Sequence, residues 1–376
     1  MWAPVCAKCD NHSASMTSLP TSELGTTTAK AGAIRVAFLF ALFFLIAAGL
    51  GYPVLNRYDP RQVPGLSDVK AYAEIVTGDA NAAAVQDLPT SHLRFRVLVP
   101  WVARAIYGFA RGRIGTWDPV MFSLLAVDSG FVAATAVLIV LLGARHLRNP
   151  AVGMVGAFLY LVNFAVPNLR LAGLVDAGEG FFLLALLATL AECRLWPLPM
   201  VAVLGTLTKE SFVPFSIALG IGWWLAARHE AGSAEAGSHH SAECALLKLA
   251  TWMAIALAAS LATFLGLHRA IERAFVSPLE FGLGLQRGHD YVTHFVASLG
   301  DRQLWYIFAW LLPTSIPRLK RLPRPWLWAT AAVCAAVFAL DAFYGGAPGT
   351  VGRALFTAAG PVLSLASAAL LVGMFS

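Results

Sequence analysis

Charged side chains are scarce in this sequence. They make up 13% of its 376 residues, against 58% hydrophobic residues and a mean hydropathy of +0.68. Soluble domains carry about 25% charged residues, so this scarcity excludes an ordinary soluble protein. Cysteine is also thin, with five residues. Cys193, Cys244 and Cys334 fall in or beside apolar segments, where a cysteine packs as a small hydrophobe. Cys6 and Cys9 form a CxxC near His12, but no second ligand pair follows, which argues against zinc. The first thirty residues lack the basic-then-apolar order and the cleavage site of a signal peptide. Residues 1–32 therefore read as a disordered cytoplasmic leader rich in Ser and Thr, with Met16 as a second candidate start. No internal repeat is evident, which argues against an inverted-repeat transporter. In so apolar a chain the net charge of +6 points to a membrane bias of basic loops and an anionic substrate rather than to nucleic acid.

What the chain does have is long apolar runs. A helix needs roughly 17 to 25 apolar residues to cross a bilayer, and without water each span must satisfy its own backbone. The fold class predicted is all-α, a polytopic transmembrane helical bundle forming one integral domain over 33–376. The runs 33–55, 119–142, 151–167, 172–191, 195–208, 212–227, 246–267, 303–316, 325–343 and 354–375 amount to about ten spans. Residues 229–245, low in complexity, read as a flexible cytoplasmic loop. The basic loops Arg145–Arg148 and Arg318–Arg324 mark the cytoplasmic side. With a cytoplasmic N-terminus, residues 97–110 then lie on the outer surface as an interfacial amphipathic helix instead of crossing. Trp223, Trp224, Trp326 and Trp328 are expected to anchor the interfaces.

Between the first two spans lies a long polar and basic outer loop, 56–117. Ionisable groups near a membrane are costly to place and are functional candidates by default. The topology puts Asp68, His92, Arg94, Arg96, Asp176, Glu179, Lys209, Glu210, His289, Asp290 and Arg353 on one outer face. An active site needs such convergence from separate segments. Usage rich in Ala, Leu and Arg suggests a bacterial source, and hence a cell inner membrane with the site on its periplasmic side.

The pieces SDVKAY, FRVLVPWVAR, GLVDAGEG, LTKES and GRALF resemble those of the GT-C superfamily. These are multispanning glycosyltransferases that use polyprenyl-phosphate-linked sugars. The resemblance spans most of 33–375, through short motifs. It implies transfer of a sugar from a polyprenyl-phosphate donor, in the lipid bilayer, to an acceptor at the outer face. It maps the catalytic base onto Asp68 and the donor phosphate onto Arg94, Arg96, Lys209 and Arg353. Tyr72, one helical turn after Asp68, is placed to stack on a sugar, and His92, Asp176, Glu179 and Glu210 complete the substrate side. The family often has an adjacent acidic pair, whereas Asp68 stands between Ser67 and Val69. That departure leaves metal dependence open, with no cofactor assigned and Mg or Mn the candidates.

Each assignment has a structural alternative. Asp68 suits a helix N-cap, and Arg94 and Arg96 suit lipid headgroups. Asp176 and Glu179 suit a metal, an acceptor, or an ion pair with Arg170 or Lys209. Lys209 and Glu210 suit partners inside a kinked hairpin, and Arg353 suits a snorkelling anchor. A transporter or lipid flippase is the alternative function, drawing on Asp128 and Asp341 within spans. A non-catalytic membrane protein is the third.

Overall fold

The computed structural model describes residues 24–63, Leu66, 68–78, Leu93, 95–232, 239–272, 291–344 and 350–375. The expectations for Cys6, Cys9, His12, Met16, His92, Arg94, His289 and Asp290 fall outside these residues. Among the described residues the fold is all-helical, without a strand. The main helices are α1 (Leu24–Leu50), α2 (Asp68–Thr77), α3 (Leu98–Ala110), α4 (Pro119–His146), α5 (Pro150–Val162) and α6 (Asp176–Ala191). They continue with α7 (Leu198–Thr208), α8 (Phe212–Gly232), α9 (His239–Glu272), α10 (Arg324–Tyr344) and α11 (Thr350–Phe375).

Five stretches are long and apolar enough to cross a membrane by length and composition: Gly32–Leu50, Pro119–His146, Cys244–Ile271, Arg324–Ala342 and Thr350–Met374. The runs expected at 151–167 and 195–208 form helices of 13 and 11 residues. The run at 303–316 is broken into Arg302–Phe308 and Leu311–Ser315. Asn163 explains the first shortening. Its Oδ1 accepts from the Ala165 amide at 3.0 Å, and its Nδ2 donates to the Ile307 carbonyl at 3.0 Å. This is the side-chain competition with helix bonding that asparagine makes readily. Helix is also described within two segments read as irregular from the sequence. Helix α1 starts at Leu24, inside the segment read as a disordered leader. Of the segment read as a flexible loop over 229–245, the described residues are helical, α8 running to Gly232 and α9 beginning at His239.

Helices α4 and α11 run through the interior, whereas α1 and α9 lie at the periphery. Helix α4 packs on α1, α3, α5 and α6, and α11 packs on α5, α6 and α10. The backbones of α4 and α5 touch at Gly143 and Gly153, where a Cβ on either would collide with the other helix. Small residues permit such close approach between apolar helices. Trp326 and Trp223, expected at an interface, are core residues at 1% and 4% exposure, while Trp328 is exposed.

The start of α4 is fixed by its cap. Asp118 accepts from the amides of Val120 and Met121 at 2.8 and 3.2 Å, with Pro119 in the first turn. Arg61 donates to Asp118 at 2.7 Å and to Asp59 at 2.8 Å, tying the preceding loop to this helix end. Asp118→Ala is therefore expected to lower stability by about 1–2 kcal/mol. Asp118→Asn, which keeps an accepting oxygen, should lose less; unfolding midpoints of both variants check this.

The two ends of the bundle differ. At one, Arg145 at the end of α4 donates to Glu192 after α6 at 2.8 Å, and Arg318 and Arg321 lie beside Gly373 near the end of α11. The opposite end gathers the starts of α6, α8 and α11, the end of α7, and α2. The ionisable side chains collect there.

Candidate functional site

Helix α2 presents Val69, Tyr72 and Val76 to the core, which places Asp68 and Tyr72 on the side facing the segment before α3. Arg96 emerges from that segment, whose backbone is tied down by the Val97 amide bonding to the Leu207 carbonyl at 3.0 Å. The Arg96 side chain is 8% exposed and meets three partners. Its Nη1 donates to Tyr72 Oη at 2.8 Å and to Asp68 Oδ2 at 3.2 Å. Its other edge grips Glu210: Nε donates to Oε2 at 2.8 Å, and Nη2 to Oε1. A forked guanidinium suits such two-sided carboxylate binding. Burial works to raise the Glu210 pKa, but Arg96 overcomes it and holds the carboxyl down at about 2. Burial pushes the Tyr72 phenol up, so it remains an O–H.

Lys209, next to Glu210 in the α7–α8 turn, turns the other way. Its Nζ donates to Asp176 Oδ1 at 2.8 Å and Glu179 Oε2 at 3.2 Å. Burial opposes its charge, yet Asp176 and Glu179 more than offset that and raise its pKa. Ser211 Oγ donates to Glu179 Oε1. Arg353, in the first turn of α11, brings Nε to 3.5 Å from Asp176 Oδ2. Beneath them Arg170 is fully enclosed: it donates to the Asp176 carbonyl at 2.9 Å and to Thr357 Oγ1 at 3.0 Å, with the guanidinium 5.2 Å from the Phe356 ring. Gly180 makes room for it, since a Cβ there would collide with Arg170 Nη1.

The structure thus brings together Asp68, Tyr72, Arg96, Asp176, Glu179, Lys209, Glu210 and Arg353. Several of the roles expected for them do not fit their surroundings. Tyr72 is wholly enclosed, so its ring offers no face to a sugar; its hydroxyl holds Arg96 instead. Asp176 and Glu179 are 2% and 0% exposed and are committed to Lys209, which keeps them from an acceptor. Lys209 and Arg353 are themselves bound to those carboxylates, so neither stands as an open phosphate cation. Arg353 points inward on Asp176 instead of snorkelling. Asp68 is the most exposed of the charged groups, at 26%, followed by Glu210 at 17%. The reachable rim is therefore Asp68, Glu210 and the edge of Arg96.

Four carboxylates (Asp68, Asp176, Glu179, Glu210) face four cations (Arg96, Arg170, Lys209, Arg353) in one cluster. Buried charges persist only when paired in this way. Among the described residues no group of three or more His, Cys, Asp or Glu is placed to hold a metal. The carboxylate pairs converge on Arg96 and on Lys209, so this donor set does not fit Mg or Mn.

Sequence reasoning gave Arg170 only as a possible partner of Asp176 and missed Ser211 and Thr357. An arginine inside an apolar stretch, three residues after Pro167, was the available signal for the first. Hydroxyl residues in apolar helices give none. No family model, curated protein or solved structure matches the chain.

Proposed function

We propose that the protein is a membrane glycosyltransferase of the GT-C plan, with about ten membrane crossings. It moves a sugar from a polyprenyl-phosphate donor to an acceptor at the outer face of a bacterial inner membrane. The observation that carries this reading is the rim itself: a part-exposed carboxylate, Asp68, 3.2 Å from a buried arginine fork, Arg96. Both stand at the bundle end opposite the basic loops. Asp68 takes the proton of the attacking acceptor hydroxyl while the bond between the sugar carbon and the phosphate oxygen breaks. Arg96 stabilises the charge on the departing polyprenyl phosphate. Glu210 and Tyr72 hold Arg96 in place, and the Lys209 group joins α6, the α7–α8 turn and α11 behind it. No step uses a metal.

The test is release of polyprenyl phosphate by purified protein in nanodiscs. Donors carrying a hexose or a pentose are supplied with an extract of cell-envelope acceptors. Release with sugar transfer supports the reading; neither transfer from nor binding of any such donor overturns it.

One observation favours transport as a second reading. Asp128 lies within α4 and is fully enclosed; its Oδ2 accepts from the Gly173 amide at 3.2 Å, while Oδ1 has no partner among the described residues. An enclosed carboxyl inside a span is typical of proton relays. Asp341 supplies less, because Ser298 Oγ donates to it. Asp128→Asn is expected to leave sugar transfer unchanged. Abolition of a proton-dependent flux across proteoliposomes, with transfer absent throughout, would favour transport.

A further inference from the structure

We propose that Asp68 occupies the donor phosphate's place on Arg96 until the donor arrives, so that donor binding itself releases the catalytic base. This rests on the reading of Arg96 as the phosphate site. The two edges of the guanidinium are held unequally. Glu210 takes the Nε–Nη2 edge through several hydrogen bonds. Asp68 takes Nη1 through a single bond of 3.2 Å, the longest of the Arg96 side-chain contacts. Asp68 is also the more exposed carboxylate, 26% against 17%. It stands in the first turn of α2, where the helix dipole and water both stabilise a free carboxylate. An incoming anion therefore displaces Asp68 more readily than Glu210.

The chemistry requires the same move. In an inverting transfer the base and the leaving phosphate lie on opposite faces of the sugar, so both cannot rest on Nη1. Exchanging one anion for another keeps the buried Arg96 neutralised throughout, which avoids the cost of uncovering it. The base is thereby held on the guanidinium while the site is empty, and freed only when there is a sugar to attack.

The experiment measures binding of farnesyl monophosphate to purified protein in phosphatidylcholine nanodiscs. Each variant is first checked for a wild-type unfolding midpoint, with Asp68→Ser used if Asp68→Asn does not fold. Asp68→Asn is expected to bind about tenfold more tightly than wild type while losing sugar transfer. Glu74→Gln removes a carboxylate from the same helix that makes no ion pair with Arg96, and is expected to change affinity little. Equal or weaker binding by Asp68→Asn overturns the proposal, as does an equal gain in Glu74→Gln, which would reduce the effect to net charge. In both cases binding by wild type leaves the glycosyltransferase reading standing. No binding by wild type or any variant removes this proposal, and the glycosyltransferase reading falls with it only where sugar donors are neither bound nor used.

Discussion

Arg96→Met is expected to lower stability by about 3–5 kcal/mol, the usual cost of stranding the partners of a buried ion pair, and, under the proposed function, to abolish sugar transfer. The substitution leaves Glu210 and Asp68 facing each other across an apolar side chain and deprives the enclosed Tyr72 hydroxyl of its donor. Arg96→Lys keeps the charge but has no fork with which to hold both carboxylates, so it should fold better than the methionine variant and remain slow. Two effects are entangled in the single variant, and a triple variant separates them. Asp68→Asn, Glu210→Gln and Arg96→Met together remove the whole charged set. Unfolding midpoints should recover much of the loss, while transfer should not return. Recovery of both would show that the group is structural only.

The pH dependence follows from Glu210. Its folded-state pKa, about 2, lies below the ordinary carboxylate value. The stability it contributes is thus fully present above about pH 5 and is lost as pH falls toward 2. Arg96→Met should remove this acid-side decline, because the partner that depresses the pKa is gone. Midpoints recorded from pH 7 to pH 3 for both proteins check this.

Lys209→Met is the second large effect. Asp176 keeps Arg353 at 3.5 Å and Glu179 keeps Ser211, but two enclosed carboxylates lose their nearest cation. A loss of about 3–5 kcal/mol is expected. Glu179→Gln in the same background should restore part of it by halving the uncompensated charge. Arg353→Ala should cost less than Lys209→Met, since its contact with Asp176 is longer. If Lys209→Met proved as stable as wild type, the cluster would not be holding the helix ends together.

The helices that were legible from sequence are those whose apolar run is long and uninterrupted. The starts and stops of α4, α10 and α11 lie within about four residues of their runs, even though α11 carries Pro361 inside it. The run at 151–167 was misjudged in length, since Asn163 bonds sideways to Ile307, a residue 144 positions away. The site was legible as a set of residue types and not as a set of partners. Asp68 and Arg96 are 28 positions apart, and Arg96 and Glu210 are 114 apart. Charge counting groups such residues on one face but does not say which pairs close on each other. Hence Lys209 and Arg353 read as open cations, although the carboxylates they meet already claim them. Tyr72 read as a sugar platform because spacing gives the face of a helix and not what covers it.

The bond from Arg170 to Thr357 joins positions 187 apart, and it bears on how the protein is made. Helices enter a membrane in the order of synthesis, so Arg170 and Asp176 are inserted well before α11 exists. Until α11 docks, the guanidinium lacks both Thr357 and the Phe356 ring, and Asp176 lacks Arg353. Helix α11, which follows Arg170 and Asp176 in the chain, is therefore the one that closes the polar cluster, so the site is completed only after its earlier members have been made.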